Sequence, residues 1–176
     1  MSGRKSVCIL LLFLLFILEG TLLPWLIPDV WEPRIAADLV FVVLLFVTVY
    51  HHRHTALILG LAFGMLHDLV FYGRMLGAHS LAVGVSAYLI GLIFQMPRAP
   101  LPVMMTIVLL GTWLKDSLLF GIYRVFKLNS QPYDWALLHH ILPTMLFHFA
   151  VGLLLYIPVR KELEKLGRYV RKEENV

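Results

Sequence analysis

The sequence predicts an all-α integral membrane protein, a single bundle of six transmembrane helices with both termini cytoplasmic. Six intensely apolar segments of roughly 17–25 residues fill nearly the whole chain, and ~20 residues at ~1.5 Å each cross a ~30 Å hydrocarbon core. Hydrophobic residues make up 60% of the 176, with mean hydropathy +0.81, against roughly 45–50% in soluble domains. Basic residues gather at segment ends, where lipid headgroups suit them.

The expected spans are 6–26, 35–50, 55–72, 79–96, 101–125 and 139–158. Arg4 and Lys5 before an apolar run from Val7 to Leu18 resemble a signal peptide, but Glu19-Gly20-Thr21 offers no small-residue cleavage site, so this is read as a retained first helix. Pro28-Asp29 with Glu32-Pro33-Arg34, His51-His52-Arg53-His54, Gly73-Arg74, Pro97-Arg98-Ala99-Pro100 and Asn129-Ser130-Gln131-Pro132 separate the spans. With the N-terminus inside, Arg4, Lys5, Arg53, Arg98, Arg160, Lys161, Lys165, Arg168, Arg171 and Lys172 are cytoplasmic. Only Arg34, Arg74, Arg124 and Lys127 lie outside, as the positive-inside rule requires.

Residues 1–158 thus form the transmembrane domain and 159–176 a basic tail. In the tail Val159, Leu163, Leu166 and Val170 make one apolar stripe, predicting a helix on the inner headgroups or a docking element for a cytosolic partner. The net charge of +4 is spread over loops and tail, which argues against nucleic acid as a partner. A lone Cys8 excludes an internal disulfide or a cysteine metal cluster.

Two patterns stand out inside the spans. Gly60, Gly64 and Asp68 lie four apart on one helix face, and after a turn with Gly73 the residues Gly77, Leu81, Gly84, Tyr88 and Gly91 follow a 4-3-4-3 spacing. Small residues let helices approach closely, so the third and fourth spans are expected to pack antiparallel through these faces. The plain reading is helix packing; the functional one adds a partner groove.

Secondly, charged groups cost about 2.5–3.5 kcal/mol each at mid-bilayer. The topology gathers Glu19, Asp38, His67, Asp68, His79, Lys115, Asp116, His139 and His140 toward the outer half, predicting a polar cavity or docking surface there, with Asp68 and Lys115 as a buried pair. The bland alternative is that each snorkels or pairs locally.

Enzyme-like patterns are weak. Gly84-Val85-Ser86-Ala87 with a distant His148 resembles the serine and histidine of intramembrane proteases, without the usual glycine after serine. The histidines at 51, 52 and 54 fall short of a zinc set and flank an arginine. No metal, cofactor or catalytic activity is expected.

From Gly60 to Asp68, then Gly73, Gly77, Leu81, Tyr88 and Gly91, the chain resembles the bacterial rod shape-determining MreD family. Asp38-Leu39 is similar to that family's proline-aspartate-leucine entry, with Ala37 in place of proline, and Met65 stands where leucine is usual. The resemblance implies a non-enzymatic, multi-pass component of the bacterial inner membrane in the lateral cell-wall elongation machinery. It implies binding to the bitopic protein MreC and, through it, to MreB filaments and peptidoglycan synthases. It also implies a helix arrangement similar to the substrate-binding subunits of energy-coupling-factor vitamin transporters, which makes a solute binder the rival reading.

Overall fold

The computed structural model describes residues 10–21, 36–50, 53–71, 75–94, 96 and 99–174, as backbone alone beyond Val159. All regular structure among them is helical: α1 (Leu10–Thr21), α2 (Leu39–Tyr50), α3 (Arg53–Val70), α4 (Ala78–Ile93), α5 (Leu101–Val125), α6 (Tyr133–Ala136) and α7 (Leu142–Glu174). A π-turn, Leu137–Ile141, joins α6 to α7.

α2 is the axis of the bundle. Its sequence LVFVVLLFVTVY is apolar all round, with no stripe, which is the signature of a helix enclosed on every side. Every residue from Val40 to Val49 is buried, packed among α3, α4, α5 and α7. The single polar side chain in that run, Thr48, returns its hydroxyl to Leu44 O at 2.9 Å. The other helices bury one face and expose leucine, isoleucine, valine and phenylalanine on the other. Leu10, Ile58, Ile93, Leu154 and Ile157 are all at least 60% exposed, and such surfaces suit lipid rather than water.

Two helices, Leu101–Val125 and Tyr133–Val159, are by length and composition able to cross a membrane, and α1, α2 and α4 are shorter apolar helices. The protein is a membrane helical protein whose helix count fits the expected six spans, the last being α6, the π-turn and α7 together. α5 starts after extended Pro100 with proline in its first turn, where a missing N–H costs nothing. It closes with Lys127 in the left-handed region (φ 56°) and Leu128 N–H donating to Tyr123 O at 2.8 Å, a Schellman-type end.

Pro143 explains the π-turn. It lacks an N–H, and its ring would collide with the carbonyl four residues back in a regular helix. The preceding turn widens instead, with Leu142 N–H reaching Leu137 O five residues back. Pro158, by contrast, sits inside a helix that continues to Glu174. The tail, expected as a separate element on the headgroups, therefore continues the sixth span. Tyr50 and Tyr156 both donate their hydroxyls to Ala99 O, at 3.1 and 3.2 Å, which ties the segment before α5 to α2 and α7.

Candidate functional site

The first four N–H groups of any helix lack internal partners, and at the enclosed start of α2 water cannot supply them. Asp38 and Glu19 do. Asp38 is the N-cap: its Oδ1 accepts Phe41 N–H at 2.8 Å and its carbonyl accepts Val42 N–H at 3.3 Å. Glu19, from α1, receives Leu39 N–H at 2.8 Å and Val40 N–H at 3.3 Å on Oε2. Two carboxyl groups from different segments thus complete one helix start.

Asp38 has further partners. Its Oδ2 accepts from His79 Nε2 of α4 at 3.0 Å and from Lys115 Nζ of α5 at 3.3 Å, and Lys115 also meets Asp116 Oδ1 at 3.4 Å. The Lys115 ammonium has 0% exposure and lies 5.1 Å from the Phe41 ring centre, so it is held by ion pairs and a cation–π contact inside the bundle. The backbone N–H of Asp38 donates to His148 Nε2 of α7 at 3.0 Å, and His148 Nδ1 meets Thr112 Oγ1 at 3.0 Å. Because Nε2 accepts from an amide, the ring hydrogen of His148 sits on Nδ1. One turn earlier on α7, Thr144 Oγ1 accepts Ala36 N–H at 3.1 Å. A single residue, Asp38, therefore connects α2 to α4, α5 and α7, and Glu19 adds α1.

Beside this node the glycine faces close on one another. A Cβ on Gly60 would lie 2.9 Å from Gly84 Cα, and one on Gly64 would lie 2.6 Å from Ser80 Cα, so the α3 and α4 backbones are in direct contact. Ser80 donates its hydroxyl to Leu61 O at 2.7 Å across the same seam. Asp68 ends it: its Oδ2 accepts Gly77 N–H at 2.8 Å and His79 N–H at 3.2 Å, capping α4 from α3. Gly77 itself is left-handed (φ 89°), a conformation that glycine adopts without strain. The motif is a helical hairpin whose crossing is set by glycines and whose second helix is started by the aspartate of the first.

That hairpin lies within a match to the rod shape-determining protein MreD family covering residues 4–166. The chain belongs to the MreD family. It is 26% identical over 147 residues to the rod shape-determining protein MreD of Bacillus subtilis (strain 168), an alignment covering 83% of this chain and 85% of that one. No solved structure matches it.

In this MreD-family chain several expected site residues fall elsewhere than the sequence suggested. The Asp68–Lys115 pair is replaced by Asp38–Lys115, because Asp68 is engaged with the start of α4 and Lys115 points to the start of α2. Asp38, His67, His79, Lys115 and Asp116 do come together, with Asp38, His79 and Lys115 buried between helices and His67 and Asp116 partly buried beside them, rather than lining an open cavity. His139 and His140 meet Trp135: His139 stacks on it at 4.7 Å and bonds its carbonyl oxygen, and His140 lies edge-on to the same indole at 5.3 Å. Gly60, Gly64 and Gly84 are filled by their own hairpin, and Gly91 faces Thr48 and Arg53, which leaves no open groove along the seam. Leu81 is 52% exposed, and Ser80 holds the facing position instead. Tyr88, half-buried, lies 5.6 Å from the His54 ring and 6.0 Å from the Arg53 guanidinium carbon. Gly73 is outside the described residues, as are His51 and His52.

The protease pattern does not assemble, because both ring nitrogens of His148 are engaged by Asp38 and Thr112. Buried Ser86 Oγ has no hydrogen-bond partner among the described residues. Thr112, Thr144 and His148 were missed as members of the node. Their signal was present: 112, 115 and 116 share one helix face, as do 144 and 148.

Proposed function

We propose that this chain is a non-catalytic, multi-pass scaffold of the bacterial cytoplasmic membrane in the cell-wall elongation machinery. It binds an MreC-like bitopic protein, and through it MreB-like filaments and peptidoglycan synthases; membrane lipids cover the remaining surface, and no cofactor takes part. One observation carries this reading beyond family membership. The ionisable side chains at the Asp38 node connect helices and cap their starts, so they build a rigid body rather than offer a reactive group.

The partner surface in this account is the outward apolar faces of the helices, not the glycine seam, since the seam is closed by its own hairpin. The solute-binding rival shares the proposed likeness to energy-coupling-factor subunits but needs a pocket of about 300–1,000 Å³. The cavity among Glu19, Asp38, His67 and His79 is ≈ 10 Å³, space for about one water.

Crosslinking in native membranes followed by affinity purification and mass spectrometry tests the proposal. Recovery of a single-span MreC-like protein with wall synthases is expected. Recovery of a coupling subunit with paired ATPases would replace this reading with solute uptake.

A further inference from the structure

The Glu19 carboxyl is used on one side only. Oε2 accepts two amides of α2, whereas Oε1 has no hydrogen-bond partner among the described residues, although the side chain is only 3% exposed. The Glu19 side chain lines a cavity of ≈ 10 Å³ together with Phe16, Asp38, Gly64, His67 and His79. His67 Nε2 lies 3.7 Å from Oε1, just beyond hydrogen-bond length. The His67 side chain is 25% exposed, and its ring stacks on His79 at 4.0 Å.

An orphan carboxylate oxygen inside a membrane bundle is costly, and three occupants could relieve it: a metal ion, a water or a proton. A metal is disfavoured by the donor set, since no group of three His, Cys, Asp or Glu among the described residues is placed to hold one. A water fills the space but leaves a full negative charge next to Asp38. A proton on Oε1 removes that charge, keeps both amide bonds on Oε2, and turns the orphan acceptor into a donor facing His67 Nε2.

We propose that Glu19 is a membrane-embedded proton-binding site, carrying an exchangeable hydrogen on Oε1 that enters and leaves through His67. In the uptake step a proton from solution first adds to His67 Nε2. That N–H bond then breaks as an O–H bond forms on Glu19 Oε1, which returns His67 to the neutral ring. The other charged or titratable groups facing this region are Asp38 on α2, Asp68 on α3, His79 on α4, Lys115 and Asp116 on α5 and His148 on α7. Asp38, Asp68 and Lys115 are committed to the bonds already described. The Glu19 carboxyl also attaches α1 to the start of α2, so the site couples the seating of α1 to proton occupancy.

Infrared spectroscopy of the full chain in nanodiscs reads the site directly. Near neutral pH a protonated-carboxyl C=O band is expected, shifted by deuterium oxide, lost in Glu19→Gln, and exchanging more slowly in His67→Phe. Glu19→Gln keeps an oxygen for Leu39 and Val40 and places an NH₂ where the proposed O–H lies, so it should fold as wild type does. Wild-type protein carrying carbon-13 glutamate gives a reading without any variant, since the same band must move to lower frequency. The remaining glutamates, Glu32, Glu162, Glu164, Glu173 and Glu174, lie in polar segments of the sequence. A band insensitive to both the label and Glu19→Gln, or no band at all, would mean that Glu19 is ionised and overturns the proposal. That outcome leaves the scaffold reading untouched.

Discussion

Asp68 and Asp38 do the same work at two places: each side chain accepts N–H groups at a helix start that have no partner within the helix. For Asp68 the helix is α4, and the bonds are to Gly77 N–H and His79 N–H. Replacing it with alanine removes both acceptors and should cost about 1–2 kcal/mol of stability, the upper part of the range for a lost cap. Asp68→Asn keeps one oxygen and loses only the charge, so thermal unfolding in detergent should place it between wild type and Asp68→Ala. Equal losses for the two variants would mean that the charge, not the hydrogen bonds, is what α4 needs. Lys115 follows a different logic, since its value lies in the partner it neutralises rather than in a backbone it completes.

At the scale of elements the α3–α4 hairpin is the tightest joint. Gly64→Ala would put a Cβ 2.6 Å from Ser80 Cα, and backbone cannot yield as a flexible side chain can. The two helices must separate, at about 1–3 kcal/mol for overpacking. Gly121→Ala on α5 is the matched control, because nothing lies within 4 Å of its added Cβ. Alanine is the better helix former by about 1 kcal/mol, so that variant should be neutral or slightly stabilised. A melting series in which both alanines behave alike would contradict the close crossing.

This joint was legible in the sequence because a spacing of four puts Gly60, Gly64 and Asp68 on one helix face whatever surrounds it. The facing residue was harder to read: Leu81 fits the 4-3-4-3 spacing, yet the left-handed Gly77 sets where α4 begins, and Ser80 meets Gly64 instead. The continuity of the last helix through Pro158 was hidden for a similar reason, since a proline next to a basic run reads as a stop.

Across the whole molecule, the six apolar segments and the polar groups they carry were visible from composition and hydropathy alone. The pairing of those groups was not. Asp68 was the expected partner for Lys115, and only the packing of α2 against α5 and α7 shows that Asp38 reaches the ammonium instead. His148 illustrates the same limit: distant in sequence from everything it touches, it reads as a possible catalytic base, and the fold makes it an acceptor for the Asp38 amide. Function at this scale is that of a body held from inside by one polar node, presenting apolar faces outward.

A double-mutant cycle on that node, Asp38→Asn, Lys115→Met and the two together, is the most direct test, read as unfolding free energy of the purified protein in detergent. Each single change strands a buried group and should cost about 3–5 kcal/mol. The double variant should lose less than their sum by about 1 kcal/mol or more, the coupling expected of residues in contact. Losses that simply add would mean that Asp38 and Lys115 act independently, and the node would not be what holds the bundle together.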